Sequence, residues 1–168
     1  IYTLSLHDAL PILVINDAAI YDKLFYNLNT TGPVLSPFDS YLLLRGLKTL
    51  ALRMERSTQN AQEVVAFLKK SPAVKEVLYP GKGGMISFKV VDEGKIPHLL
   101  NSLKVFTFAE SLGGVESLIT YPTTQTHADI PVEVRHSYGL TDDLLRLSIG
   151  IEDSRDLVDD LRAALENE

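Results

Sequence analysis

Residues 144–165 read LLRLSIGIEDSRDLVDDLRAAL, and a strand pattern and a helix pattern meet inside that stretch. Leu144, Leu145, Leu147 and Ile149 form a short apolar run with one charge inside it, Arg146, which predicts a buried strand over 144–149. Asp153 then stands where a helix cap belongs, Asp156 falls in the first turn, and Leu157, Leu161 and Leu165 recur on one face. A buried strand followed at once by an amphipathic helix is a piece of a sheet covered by helices. The chain just upstream continues the pattern, with strands predicted over 74–79, 85–91, 105–108 and 116–121 and helices over 94–103 and 131–138. The fold class is α/β, with a sheet carrying its helices on one face.

Further toward the N-terminus the character changes. A short strand signal at 13–15 is followed by Asn16 or Asp17 as a helix cap, and then by Ala18, Tyr21, Leu24, Phe25 and Leu28 at helical spacing. Gly32 and Pro33 end that helix. From Pro37 the pattern predicts one long helix, apolar nearly all round through Leu42, Leu43, Leu44, Leu47, Leu50 and Leu52, and therefore mostly buried. After Arg56 the apolar set narrows to Ala61, Val64, Val65 and Leu68 on a single face, and Lys69, Lys70, Ser71 and Pro72 stop the helix. That narrowing puts a domain boundary near Ser57, between a segment 13–57 and a segment 58–168. Residues 1–12, IYTLSLHDALPI, match the translation of a nucleotide string that resembles a common sequencing adapter. They are expected to be an artefact outside the fold, with no function for His7 or Asp8.

Composition excludes several function classes. The chain has 168 residues, 45% hydrophobic and 23% charged, enough for one domain with a core or one domain plus part of another. Sixteen Lys and Arg against 22 Asp and Glu give a formal charge of −6, with the basic residues dispersed, so nucleic acid is not an expected partner. The longest apolar runs are far too short to span a bilayer, so no membrane partner is expected. The absence of cysteine removes disulfides, thiol nucleophiles and thiolate metal sites, and fits a reducing compartment.

Few residues carry a chemical signal. His98, His127 and His136 show no HExxH or paired-ligand spacing, so no metal site is expected. Ser111 and Ser117 lack the strand-turn-helix context of a hydrolase nucleophile, and Gly83, Gly84, Gly113 and Gly114 read as turns beside strands. Two features stand out. Glu110, Ser111, Glu116 and Ser117 crowd one turn between apolar strands, where a short connection needs only one or two polar residues. Arg146 lies inside an apolar strand, where a guanidinium needs an anionic or bidentate partner: a structural Asp or Glu, or the carboxylate of a substrate.

Four ordered blocks resemble a known family. SPFDSYLLLRGLKTLALRMER (36–56), FAESLGGVESLITYP (108–122), TQTHADIP (124–131) and LLRLSIGIEDSRDLVDDL (144–161) are similar to the C-terminal part of the pyridoxal phosphate (PLP) enzymes of Cys/Met metabolism, the cystathionine γ-synthase and cystathionine lyase family. The resemblance covers 13–168. It implies the type I, aspartate aminotransferase-like PLP-dependent transferase fold, with 13–57 the end of the large cofactor domain and 58–168 the small C-terminal domain.

The resemblance also implies site residues and partners. Arg146 matches the arginine that grips the substrate α-carboxylate, Ser111 a serine beside the cofactor, Thr126 a threonine that holds one arm of the site, and Asn29 an active-site asparagine. Glu110 matches the γ-synthase and γ-lyase members, which implies chemistry at the substrate γ-carbon. The implied activity is γ-replacement on an activated homoserine ester by cysteine, in a cytoplasmic homotetramer. The Schiff-base lysine of the family lies roughly a dozen residues upstream of the position matching Leu13, so this chain by itself is expected to hold no catalytic residue and to be inactive. The chain also passes from Lys82 directly to Gly83 and Gly84 where many relatives insert a longer segment, a form similar to homologues of which some accept sulfide as well as cysteine, so the resemblance leaves the sulfur donor open. The alternatives are a β-lyase or γ-lyase of the same family, a non-catalytic amino-acid-binding regulatory domain, and a subunit-interaction module.

Overall fold

The structure, a computed structural model, describes residues 15–166. The segment 1–12 lies outside the described residues, as do residues 13 and 14 of the strand expected over 13–15, and Ile15 belongs to no strand. The described chain divides into two compact units, 15–51 and 52–166.

The first unit is helical. Helix α1 (Ala18–Thr31) starts at Asp17, whose carboxylate accepts the Ile20 N–H at 3.0 Å, so Asp17 and not Asn16 is the cap. It stops at Gly32, where φ is +67° and the amide closes on Leu28 O at 2.9 Å. Helix α2 (Pro37–Leu47) is capped by Ser36, whose hydroxyl oxygen accepts Asp39 N–H at 3.1 Å. The single long helix expected from Pro37 is in fact two. Lys48 N and Thr49 N bond to Arg45 O and Gly46 O at 3.3 Å, the tighter three-residue spacing, and helix α3 (Leu50–Leu68) begins afresh. Gly46 is the physical reason: among non-proline residues glycine least favours a helix interior, and the Thr49 hydroxyl also turns back to its carbonyl. A second expectation is corrected here. Leu42, Leu43, Leu44, Leu47, Leu50 and Leu52 are exposed, Leu44 at 62%. An all-round apolar helix needs neighbours on every side, and the unit 15–51 holds only α1, α2 and the first two residues of α3.

The second unit holds the sheet. Strands β1 (Val74–Leu78), β2 (Met85–Val90), β3 (Thr107–Phe108), β4 (Leu118–Thr120) and β5 (Leu144–Ser148) lie in the order β1-β2-β5-β4-β3. All neighbours are antiparallel except β3 and β4. The register places Ile86, Leu147 and Ile119 in one row and Ser87, Arg146 and Thr120 in the next. Side chains alternate along a strand, so these rows face opposite sides of the sheet. The first side carries Ile86, Phe88, Val90, Ile119, Leu145 and Leu147. Against it pack Ala61, Val64, Val65 and Leu68 of α3, Ile96 and Leu99 of helix α4 (Ile96–Ser102), and Leu157, Leu161 and Ala164 of helix α6 (Ser154–Glu166). Helix α5 (Val132–Ser137) adds nothing to that core. The expected α/β sheet with helices on one face is the architecture found.

Two strand starts differ from the pattern for one reason. β3 begins at Thr107 and not at 105 because the Asp160 carboxylate takes the backbone N–H groups of Lys104, Val105 and Phe106, at 2.8, 2.9 and 3.0 Å. Likewise the Ser117 N–H goes to Glu152, and β4 starts at Leu118. A side-chain acceptor has replaced the ladder in both places. No described helix is long and apolar enough to cross a membrane.

Candidate active site

Arg146 sits at the middle of β5 on the face opposite the helices, between Ser87 of β2 and Thr120 of β4. Its neighbours in sequence, Leu145 and Leu147, are fully buried in the core, so the pleat itself turns the guanidinium to the other side. Nη2 donates to Thr120 Oγ1 at 3.1 Å and to the Glu110 backbone carbonyl at 3.3 Å. Nε is buried and has no hydrogen-bond partner. Burial pushes the Arg146 pKa down and the nearby Glu110 carboxylate pushes it back up, but a guanidinium keeps its charge at any accessible pH. The result is a fixed cation with an unused donor. Among the described residues no Asp or Glu carboxylate is hydrogen-bonded to it: the side-chain oxygen it meets is the neutral Thr120 hydroxyl, and the Glu110 carboxylate acts on it only through its charge.

Glu110 and Ser111 lie on the loop from β3 to β4, and that loop is pinned at both ends. Ala109 N bonds to Ile119 O at 3.0 Å, and Thr120 Oγ1 donates to Ala109 O at 2.7 Å. Gly113 N donates to Ser148 Oγ at 2.8 Å, and Ile151 N to Val115 O at 2.9 Å. Ser111 is half-buried in this frame, while Glu110 is exposed. The crowded polar turn is therefore a rigid ledge beside Arg146.

A second arm comes from the segment between β4 and α5. Thr126 Oγ1 and His127 Nδ1 are hydrogen-bonded at 2.7 Å, and His127 N donates to Pro122 O at 2.9 Å. Burial, then the charges of Arg146 and Arg135, hold the His127 imidazole below its ordinary pKa, which leaves it neutral near pH 7. Arg135 of α5 is buried, with Nε and Nη1 making no hydrogen bond and Asp142 at 3.6 Å from Nη1. Arg146, Glu110, Ser111 and Thr126 thus belong to one unit. Asn29 lies apart from them in sequence and unit, exposed on α1. Thr120, His127 and Arg135 were not singled out as site residues by the sequence. Only Thr120 had a latent signal there, a polar residue within the strand predicted over 116–121.

Comparison with known proteins adds the chemistry. The sequence profile of the Cys/Met metabolism PLP-dependent enzymes matches residues 7–166. The chain belongs to the Cys/Met metabolism PLP-dependent enzyme family. Within that family it is 52% identical over 167 residues to a cystathionine γ-synthase of Haemophilus influenzae, covering 99% of this chain and 45% of that protein. It is also 52% identical over 154 residues to a cystathionine γ-synthase/O-acetylhomoserine (thiol)-lyase of Bacillus subtilis, covering 92% of this chain and 41% of that one. A cystathionine γ-synthase of Xanthomonas oryzae pv. oryzae, solved with aminoacrylate and cysteine, superposes with a TM-score of 0.84 at 40% identity over 91% of this chain and 44% of that structure. The chain spans less than half the length of the curated relatives it matches.

PLP is the cofactor of the family. The unpartnered Arg146 Nε is the donor that an amino-acid carboxylate would take, and Ser111 stands on the rigid ledge beside it. Among the described residues no group of three or more His, Asp or Glu could hold a metal ion.

Proposed function

We propose that the chain forms the substrate-carboxylate side of a cystathionine γ-synthase-like enzyme, which makes cystathionine from an activated homoserine ester and cysteine. In that γ-replacement the Cγ–O bond to the acyl group breaks, the cysteine sulfur bonds to Cγ, and the acyl group leaves as a carboxylic acid. One observation carries the reading: a half-buried, charged Arg146 whose buried Nε donor is unused, in the centre of the sheet face that bears Thr120, flanked by the ledge of Glu110 and Ser111. The similarity to two γ-synthases at 52% identity supports it.

When bound, PLP supplies the electron sink that makes the substrate α-proton removable. In this reading Ser111 holds its edge. Arg146 binds and orients the α-carboxylate through two parallel N–H donors, and so fixes where Cα and Cγ stand. The neutral His127, held by Thr126, walls that pocket without competing for the carboxylate. Glu110 borders the path of the γ-substituent. Residues 13–57 close the large cofactor domain and 58–168 form the small one, in a cytoplasmic homotetramer whose catalytic lysine belongs to the large domain.

The test is the complete protein encoded by the gene, assayed with cysteine and a homoserine ester for cystathionine. Arg146→Ala is expected to raise KM for the ester by about a hundredfold or more, since a charge-assisted fork is lost. An unchanged KM overturns the carboxylate assignment. A second reading, lysis, rests on relatives at 48% identity named cystathionine γ-lyase and cystathionine β-lyase. Cystathionine supplied as substrate separates them, because a γ-lyase frees cysteine, a β-lyase frees homocysteine, and a synthase is slow at either.

A further inference from the structure

We infer that Thr120 is the positioning residue for Arg146, fixing the guanidinium so that Nε faces an incoming carboxylate. Thr120 is 1% exposed and stands opposite Arg146 in the β4–β5 register. Its hydroxyl has one proton, and that proton goes to Ala109 O at 2.7 Å. The oxygen is left only lone pairs to offer, and they receive Arg146 Nη2 at 3.1 Å. The hydroxyl therefore has one orientation, set by the Ala109 carbonyl just after β3, and it transmits that orientation to a side chain on β5.

The second acceptor of Nη2 behaves differently. Glu110 O accepts at 3.3 Å, the longer contact, from an exposed residue. A side-on carboxylate engages Nε and Nη2 together. Nε is free, but both protons of Nη2 are taken, so one contact must yield. The weaker one is to Glu110. Substrate carboxylate thus replaces the Glu110 carbonyl while Thr120 keeps the guanidinium in plane, and the arrival of substrate is felt by the ledge that carries Glu110 and Ser111.

This inference rests on the carboxylate reading of Arg146, and the experiment separates the two. The complete protein is compared as wild type, Thr120→Val, Thr120→Ser and Arg146→Ala. Propionate serves as a carboxylate without an amine and ethylamine as an amine without a carboxylate. Propionate binding is followed by ligand-observed NMR with and without PLP, and KM and kcat for the amino-acid substrate are measured separately. Thr120→Val keeps the shape and loses the hydroxyl; it is expected to weaken propionate and raise KM by about tenfold, with kcat and ethylamine binding little changed. Thr120→Ser is expected to restore both. Loss of propionate binding in Arg146→Ala with none in Thr120→Val overturns the role of Thr120 and leaves the carboxylate reading standing. Unaltered propionate binding in Arg146→Ala overturns both. Should Thr120→Val not fold, Thr120→Cys, close in volume and weak in hydrogen bonding, gives the same comparison.

Discussion

The Glu152 carboxylate takes both hydrogen-bond donors of Ser117, the backbone N–H at 2.5 Å and the hydroxyl at 2.8 Å. Gly150 N in turn donates to Ser117 Oγ at 2.9 Å, and Asn60 Nδ2 of α3 holds Gly150 O and Glu152 O at 3.1 and 2.9 Å. The segment after β5 is thereby clamped to the end of the Glu110–Ser111 ledge. A Cβ at Gly150 would fall on the Val115 carbonyl, so only glycine allows the approach.

Glu152→Gln turns one of the two acceptors into a donor facing a donor. Amide exchange at Ser117 and Gly150 is expected to quicken by a factor set by about 1–3 kcal/mol of lost local stability, with a rise in substrate KM from the loosened ledge. Hydrogen exchange followed by mass spectrometry checks it. Unchanged exchange at Ser117 removes the clamp from the account.

Asp160→Asn tests the other anchor. Its carboxylate accepts the backbone N–H groups of Lys104, Val105 and Phe106, and an amide has only one oxygen to offer. The substitution is expected to cost about 1–3 kcal/mol of stability, read as faster exchange of those amides, while Asp160→Glu, which keeps the charge but overreaches, costs less. Equal exchange in Asn and wild type shows that β3 needs no such anchor.

His127 gives a pH dependence whose sign is fixed. Burial, Arg146 and Arg135 lower its pKa in the folded chain, so the unfolded chain takes up the proton first. The contribution to stability is complete above the ordinary histidine value of about 6.5 and is lost as pH falls through it toward the lower folded value. Thermal unfolding of wild type and His127→Gln from about pH 8 to about pH 5 should diverge, the wild type losing more on acidification. Parallel curves dispose of the idea.

Leu147→Ala opens the core beneath the site. Leu147 is 0% exposed between Ile86 and Ile119 on the helix-covered face, next in sequence to Arg146. Loss of its side chain is expected to lower the opening free energy of β5 amides by about 3 kcal/mol, measured by native-state hydrogen exchange. A loss under about 1 kcal/mol means that the row collapses around the void.

Much of the second unit was legible because its signals are local. The apolar run through Arg146 gave β5, and the Asp156, Leu157 and Leu161 pattern gave α6, each to within a residue or two. The break at Lys48 and Thr49 was not read, because one apolar pattern runs through both α2 and α3 and Gly46 is its single local mark. The late start of β3, at Thr107 and not at 105, was missed because its competitor, Asp160, lies 54 residues from Phe106 in the chain.

The same division holds for the site. The sequence by itself determined that residue 146 is a charge in a buried strand and that Glu110 and Ser111 share a polar turn, since residue type and period are properties of neighbours along the chain. Which face Arg146 takes, that Thr120 stands beside it, and that its Nε is left without a partner were decided only when β5 paired with β2 and β4. Register between strands far apart in sequence is fixed by the packing of their opposite, apolar faces, and a one-residue slip would have turned the guanidinium into the core.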